Sequence, residues 1–119
     1  MRALVVDDDA AIRSFVTAIL LAEGFEIFAA EDADQALEIL HAAGGVDVMI
    51  TDIQMPGRDG VSLARAVTEE FPSAAIVLMS GYPAPDEDFD YIQKPFSWIE
   101  MRSMVRRARR RPSCLPPAA

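Results

Sequence analysis

The sequence predicts an α/β domain: a doubly wound parallel β-sheet with helices on both of its faces. Short apolar runs alternate along the chain with longer segments of helical periodicity. The runs are apolar on both sides, as in strands buried on both faces of a parallel sheet. A length of 119 residues, 51% of them hydrophobic, is enough for one domain with a hydrophobic core.

Five strands and four helices are predicted. The strands are expected at 3–6, 25–30, 46–50, 75–79 and 90–93. The helices are expected at 10–22, 32–43, 61–71 and 97 to about 110. Asp9 is expected to cap the first helix, Gly24 to end it and Pro72 to close the third. In the last helix the apolar face consists of Trp98, Met101 and Val105, with Trp98 as a core anchor.

The connection between the fourth and fifth strands is unusually short. Only residues 81–89 separate them, and Pro83 and Pro85 lie in that segment. A parallel crossover commonly takes a dozen residues or more with a helix, yet nine extended residues span about 30 Å, longer than the strand they must return along. We therefore expect the helix at this place to be missing or reduced to one turn.

Composition restricts the class of protein. The net charge is −8, which argues against general nucleic-acid binding. No apolar run has the length of a membrane span, and the single cysteine, Cys114, suits a reducing cytoplasm. We expect one domain over residues 1–111, a flexible tail over 112–119, and a cytoplasmic location. Six of the eleven basic residues lie between Arg102 and Arg111; they either complement the helix dipole or form a docking surface for an acidic partner or nucleic acid.

Polar side chains lie at the carboxyl ends of four of the strands. They are Asp7, Asp8, Asp52, Ser80 and Lys94. Because right-handed crossovers bring the carboxyl ends of parallel strands to one edge, these side chains should meet there. Clustered carboxylates repel one another, and Mg²⁺ would relieve that repulsion. With a hydroxyl and an ammonium beside them, the set has the parts needed to stabilise a transferring phosphoryl group, with Asp52 as nucleophile.

The chain resembles the receiver domain of bacterial two-component response regulators from residue 2 to about 110. The resemblance is carried by VVDDD at 5–9, TDIQMPGRDG at 51–60, MSG at 79–81 and YIQKPF at 91–96. It implies a flavodoxin-like sheet of order 2-1-3-4-5 and a switch phosphorylated by a histidine kinase or a phosphotransfer protein. It further implies that Asp52 is the phosphoacceptor. Asp8, Asp52 and the backbone carbonyl of Gln54 would hold Mg²⁺, with Asp7 acting through a bound water.

The resemblance also assigns roles around the phosphoryl group. Ser80 would hydrogen-bond it, Lys94 would pair with its charge, and Ser80 and Tyr91 would form the switch. Tyr91 could equally be a static aromatic at the sheet edge. Asp9 could be a further metal ligand, although its role as a helix cap is favoured by the ranking of Asp among caps.

Partner proteins are expected to carry the output, since no effector domain follows. By resemblance, the kinase or phosphotransfer protein docks near the first helix, where Ile12, Phe15 and Pro95 are the candidates; Ile12 could instead belong to the core. Dimerisation through a helix between strands four and five is not expected. Two other functions stay open: a phosphate-independent partner-binding receiver, and a Mg²⁺-dependent aspartyl phosphohydrolase, which would need a second acid where Gln54 stands.

Overall fold

The fold was described from a computed structural model of the chain, over residues 1–83 and 89–110. The strands are β1 (Arg2–Val6), β2 (Glu26–Ala30), β3 (Val48–Asp52), β4 (Ala75–Ser80) and β5 (Asp90–Gln93). The helices are α1 (Ala10–Ala22), α2 (Ala33–Ala43), α3 (Gly60–Glu70) and α4 (Trp98–Arg110). Within this part of the chain, no helix combines the length and the apolar character that crossing a membrane requires.

The five strands form one parallel sheet in the order β2-β1-β3-β4-β5. This confirms the predicted class and strand order. The core has two layers, one on each face of the sheet. On one face α1 and α4 contribute Val16, Ile19, Leu20, Met101 and Val105. On the other, α2 and α3 contribute Ala36, Leu40, Leu63, Ala64 and Val67.

The third strand lies two residues later than predicted. Its ladder with β1 begins where Ala3 lies opposite Val48, and the strand ends with Asp52. Val46 is buried but precedes the ladder. The strand was predicted from its run of apolar residues, and these are buried from Val46 onwards, before the hydrogen bonds of the ladder begin. The shift matters because it makes Asp52 a strand residue, fixed by the sheet.

The helix caps follow the sequence signals. The Asp9 carboxylate accepts hydrogen bonds from the backbone N–H groups of Ala11 and Ile12, which confirms it as the cap of α1. The chain leaves α1 through Gly24, whose φ is +87°. Asp32 was predicted as the first residue of the second helix and is instead its cap. Its side chain satisfies a free N–H of the first turn, as an N-cap does.

The prediction for the β4–β5 connection concerns mainly residues 84–88, which lie outside the described residues. Residues 81–83 and 89 are not helical. The fourth helix of the described chain, α4, comes after β5. A missing or shortened helix in this connection therefore stays a prediction, as does the flexible tail over 112–119, which also lies outside the described residues.

Trp98 is not a core anchor, so that prediction was wrong. It is 39% exposed, whereas Met101 and Val105 on the same predicted face are fully buried. The reason is its position as the first residue of α4. Its ring packs edge-on against the ring of Phe15, with centroids 5.9 Å apart. Leu21 is exposed, as the periodicity of α1 predicts.

Candidate functional site

Four neighbouring strands bring the predicted site residues to one edge of the sheet. Asp7 directly follows β1, Asp52 ends β3, Ser80 ends β4 and Lys94 follows β5. Asp7 and Ser80 are fully buried, and Asp52 is 5% exposed. The grouping follows from the strand order, because β1, β3, β4 and β5 are consecutive in the sheet.

Three carboxylates meet at this edge. Asp7, Asp8 and Asp52 each offer an oxygen, and these oxygens lie within 4.8 Å of one another. Asp7 is held in place, because its carboxylate accepts a hydrogen bond from the backbone N–H of Asp9 at 2.9 Å. The guanidinium of Arg13 donates to the backbone carbonyl of Asp7 at 2.7 Å. Arg13 was not singled out in the sequence, since an arginine in the first turns of a helix is ordinarily a surface residue.

Lys94 joins two of the carboxylates. Its Nζ lies 2.9 Å from Asp7 Oδ2 and 3.3 Å from Asp52 Oδ1. Burial by itself would lower the pKa of Lys94, but the hydrogen bond to Asp7 and the charge of Asp52 outweigh burial, and its pKa is raised. Lys94 is therefore an ammonium at neutral pH. The peptide bond that follows it, to Pro95, is cis.

The pKa of Asp52 is also raised, but in a carboxyl group a raised pKa disfavours the charged form. Burial raises its pKa, the charge of Asp7 raises it further, and Lys94 only partly offsets the two. One ammonium thus faces three acidic side chains. The site carries an excess of negative charge that a cation would stabilise.

Ser80 forms a contact that the sequence did not reveal. Its hydroxyl donates to Gln54 Oε1 at 2.7 Å and accepts from the backbone N–H of Tyr82 at 3.0 Å. Gln54 was predicted to act only through its backbone carbonyl. Its side chain is exposed in the loop after β3, where a glutamine gives no particular signal.

Tyr91 is half-buried and packs against the core layer of α2 and α3. Its hydroxyl donates to the backbone carbonyl of Ser80 at 3.2 Å and contacts the carbonyl of Tyr82. The ring is therefore connected to the backbone of the same strand end that carries the Ser80 hydroxyl.

The candidate docking residues lie on the side of α1. Phe15 is 36% exposed and forms an aromatic cluster with Phe96 and Trp98, at centroid distances of 6.1 and 5.9 Å. Pro95, the residue before Phe96, is exposed. Ile12 is partly buried and packs against the core, which favours the core interpretation of that residue.

The arginines of α4 form contacts within the molecule. Arg106 donates to the Glu23 carboxylate at 2.7 Å, and Arg109 donates to the Glu23 backbone carbonyl at 3.0 Å. The guanidinium of Arg109 lies 5.5 Å from the centre of the Phe25 ring. The hydrogen bond from Arg106 holds the pKa of Glu23 below its usual value. Arg106 and Arg109 thus attach the basic helix α4 to the end of α1. The sequence had suggested only that the arginines complement the helix dipole or form a docking surface.

Comparison with known proteins identifies the family. Residues 3–106 match the response regulator receiver domain. The chain belongs to that family. Such domains are phosphoacceptor signalling domains of two-component systems rather than enzymes in the ordinary sense.

Several known proteins are similar to this chain in sequence. The DNA-binding transcriptional regulator NtrC of Escherichia coli K12 is 33% identical over 112 residues, which are 87% of this chain and 24% of that protein. Sensor kinase CckA of Brucella abortus is 32% identical over 113 residues, which are 87% of this chain and 12% of the kinase. The chain therefore spans a quarter or less of these two relatives.

Solved structures agree. The receiver domain of the hybrid histidine kinase CckA superposes with a TM-score of 0.82 at 30% identity, covering 92% of this chain and all of that one. The response regulator TrrA of Thermotoga maritima, solved in complex with Mg²⁺–BeF, superposes with a TM-score of 0.78 at 33% identity, covering 90% of this chain and 97% of that one. The family assignment favours neither the phosphate-independent receiver nor the phosphohydrolase.

Proposed function

We propose that this chain is a phosphorylation switch whose phosphoacceptor is Asp52. The phosphoryl donor is a histidine kinase or a histidine phosphotransfer protein. One observation carries the proposal. The Asp52 carboxylate lies at a buried sheet edge with Asp7 and Asp8 within 4.8 Å and the Lys94 ammonium at 3.3 Å. Receiver domains accept phosphoryl groups from such partners, which supports the same donor here.

The acidic cluster fits a bound Mg²⁺. All of its donors are carboxylate oxygens, the hard ligands this ion takes, and their repulsion is only partly neutralised by Lys94. Asp8, Asp52 and the backbone carbonyl of Gln54 would hold the ion, and Asp7 would act through a water. When bound, the ion would neutralise charge on the phosphoryl oxygens.

The side chains of the protein account for the transfer itself. An oxygen of the Asp52 carboxylate attacks the phosphorus of a phosphohistidine. The new O–P bond forms as the P–N bond breaks, and the electron pair of that bond stays on the imidazole nitrogen. Lys94 remains protonated and pairs with the charge of the phosphoryl group. Hydrolysis of the acyl phosphate by water then restores the Asp52 carboxylate and releases inorganic phosphate.

Ser80 and Tyr91 are the proposed readout of the phosphorylated state. The Ser80 hydroxyl would turn to the phosphoryl group, and Tyr91, which contacts the Ser80 carbonyl, would respond to the change at this strand end. A response of this kind needs no large movement of the sheet.

The surface over α1 is the proposed docking site for the phosphoryl donor. The cluster of Phe15, Phe96 and Trp98 exposes aromatic surface next to Pro95. Ile12, also on α1, is partly buried and packs against the core. Exposed aromatic side chains are enriched where proteins bind one another. We assign the receiver to residues 1–111. A cytoplasmic location suits a domain that is phosphorylated by the kinase module of a sensor.

The test is covalent labelling. The protein with Mg²⁺ and ³²P-labelled acetyl phosphate should incorporate one phosphoryl group. The label should survive mild acid and be lost in alkali and in hydroxylamine, as an acyl phosphate is. Asp52→Ala should abolish labelling. Asp34→Ala, which removes an exposed carboxylate in the first turn of α2, is the matched control and should label normally. Equal labelling of Asp52→Ala would refute the assignment.

A further inference from the structure

The Ser80 hydroxyl has one proton to donate in a hydrogen bond, and its acceptor in the structure is the side chain of Gln54. Ser80 Oγ lies 2.7 Å from Gln54 Oε1 and donates to it. The same oxygen accepts from the Tyr82 N–H at 3.0 Å. Ser80 is fully buried, so these contacts satisfy a hydroxyl that has little access to water.

The register of β3 and β4 brings Gln54 close to Ser80. In the β3–β4 ladder Asp52 lies opposite Met79, and the backbone N–H of Ile53 donates to the Met79 carbonyl at 2.9 Å. Gln54, the next residue, therefore leaves the sheet beside Ser80. Backbone register brings the two residues together, and the rotamers of their side chains complete the hydrogen bond. Gln54 stands two residues after the proposed phosphoacceptor.

We propose that the Gln54 side chain is a latch that holds the Ser80 hydroxyl in the unphosphorylated state. A hydroxyl has a single O–H and donates one strong hydrogen bond at a time. If Ser80 donates to a phosphoryl group on Asp52, it must release Gln54 Oε1. The Gln54 amide thus competes with the phosphoryl group for one proton, and it sets how readily the site adopts the phosphorylated arrangement.

The competition has a definite direction. The phosphoryl oxygen is charged and forms the stronger hydrogen bond, so the phosphorylated protein still switches. The Gln54 side chain is exposed, so water can solvate its amide once Ser80 leaves. The cost of opening the latch is that of one neutral hydrogen bond, which corresponds to roughly a 2- to 12-fold change in an equilibrium constant.

The inference rests on the proposed function and is tested with beryllofluoride as the phosphoryl mimic. Binding of beryllofluoride to the Mg²⁺-saturated protein is measured by calorimetry. Gln54→Met keeps the length of the side chain and removes the acceptor, so it should bind beryllofluoride roughly 2- to 12-fold more tightly than wild type. Gln54→Ala should shift the affinity in the same direction. The affinity for Mg²⁺ alone is measured for each variant, and beryllofluoride binding is compared at saturating Mg²⁺.

A double-mutant cycle separates the latch from an indirect effect. In a Ser80→Ala background there is no proton to compete for, and Gln54→Met should change the affinity less than 1.5-fold, about 0.2 kcal/mol. Gln93→Met is the matched control; that exposed glutamine lies opposite Ser80 in the β4–β5 ladder. It should leave the affinity unchanged.

The possible failures are distinguishable. Wild-type protein that binds Mg²⁺ but no beryllofluoride would overturn both the proposed function and the latch. Wild-type binding with unchanged or weakened binding in Gln54→Met would overturn the latch alone. An equal gain in affinity with and without the Ser80 hydroxyl would also overturn the latch, because the effect would then not pass through the shared proton.

Discussion

Neutralising the proposed phosphoacceptor should make the fold more stable. In Asp52→Asn the side chain keeps its shape and loses its charge. Asp52 is buried beside Asp7 and Asp8, and its pKa is raised because burial and those charges disfavour the ionised form. Without a divalent cation, ionised Asp52 is therefore a cost to the folded state that asparagine does not carry.

The magnitude can be worked from the distances. At an effective dielectric constant of ~20, each like charge within 4.8 Å repels Asp52 by about 3.5 kcal/mol or more, and Lys94 at 3.3 Å attracts it by about 5 kcal/mol. Asp8 is exposed, so solvent screens much of its share. Desolvation of the carboxylate adds to the cost. We expect Asp52→Asn to raise the free energy of unfolding by about 1–2 kcal/mol at pH 7.

Urea unfolding at several pH values tests this. Because the folded pKa of Asp52 lies above its usual 3.8, the gain is full above the raised pKa. It declines as the pH falls through the raised value and disappears below 3.8, where the folded and unfolded states both bind the proton. Mg²⁺ at 100 times its dissociation constant should stabilise wild type by about 2.7 kcal/mol and Asp52→Asn much less. Asp34→Asn is the control. A variant no more stable than wild type at pH 7 in EDTA, or a gain independent of pH, would refute the reasoning.

Two further predictions concern the frame of the site. A Cβ on Gly60 would collide with the backbone carbonyl of Asp52, so Gly60→Ala should cost about 1–3 kcal/mol or more in urea unfolding and weaken beryllofluoride binding. At Gly81 no atom of the described residues lies within 4 Å of an added Cβ, so Gly81→Ala should stay within about 0.5 kcal/mol of wild type. Glu23→Gln should lower the thermal midpoint at pH 7, because it removes the charge that pairs with Arg106. The hydrogen bond from Arg106 depresses the pKa of Glu23 in the folded state. The difference in thermal midpoint between wild type and variant should therefore be full above pH 4.5 and vanish as the pH falls through the depressed pKa. A difference that persists at the lowest pH would contradict the ion pair as its cause.

The parts of the site that the sequence predicted are those fixed by backbone topology. Asp7, Asp52, Ser80 and Lys94 stand at the ends of strands, and the order of a parallel sheet brings such ends together whatever their side chains do. Asp9 was predictable as a cap because its role depends only on the next three residues. Local rules and topology were sufficient for these residues.

The parts that it missed depend on side-chain geometry between distant segments. The bonds of Arg106 and Arg109 to Glu23 join residues more than 80 positions apart, and no periodicity relates them. The exposure of Trp98 depends on where α4 begins relative to its neighbours, which helical periodicity alone does not give. The bond between Ser80 and Gln54 depends on two rotamers.

The backbone of Ser80 is fixed on both sides of its strand, and this has a consequence for timing. Its carbonyl accepts from the Lys94 N–H at 2.7 Å, and the carbonyl of Met79 before it accepts from Ile53. At Ser80 itself, the torsion of its short side chain remains free to change, and side-chain rotations are many orders of magnitude faster than the chemistry of an acyl phosphate. The output would then follow the occupancy of Asp52 without a conformational lag. The duration of the response would then be the lifetime of the O–P bond on Asp52, and the response would end when that bond is hydrolysed.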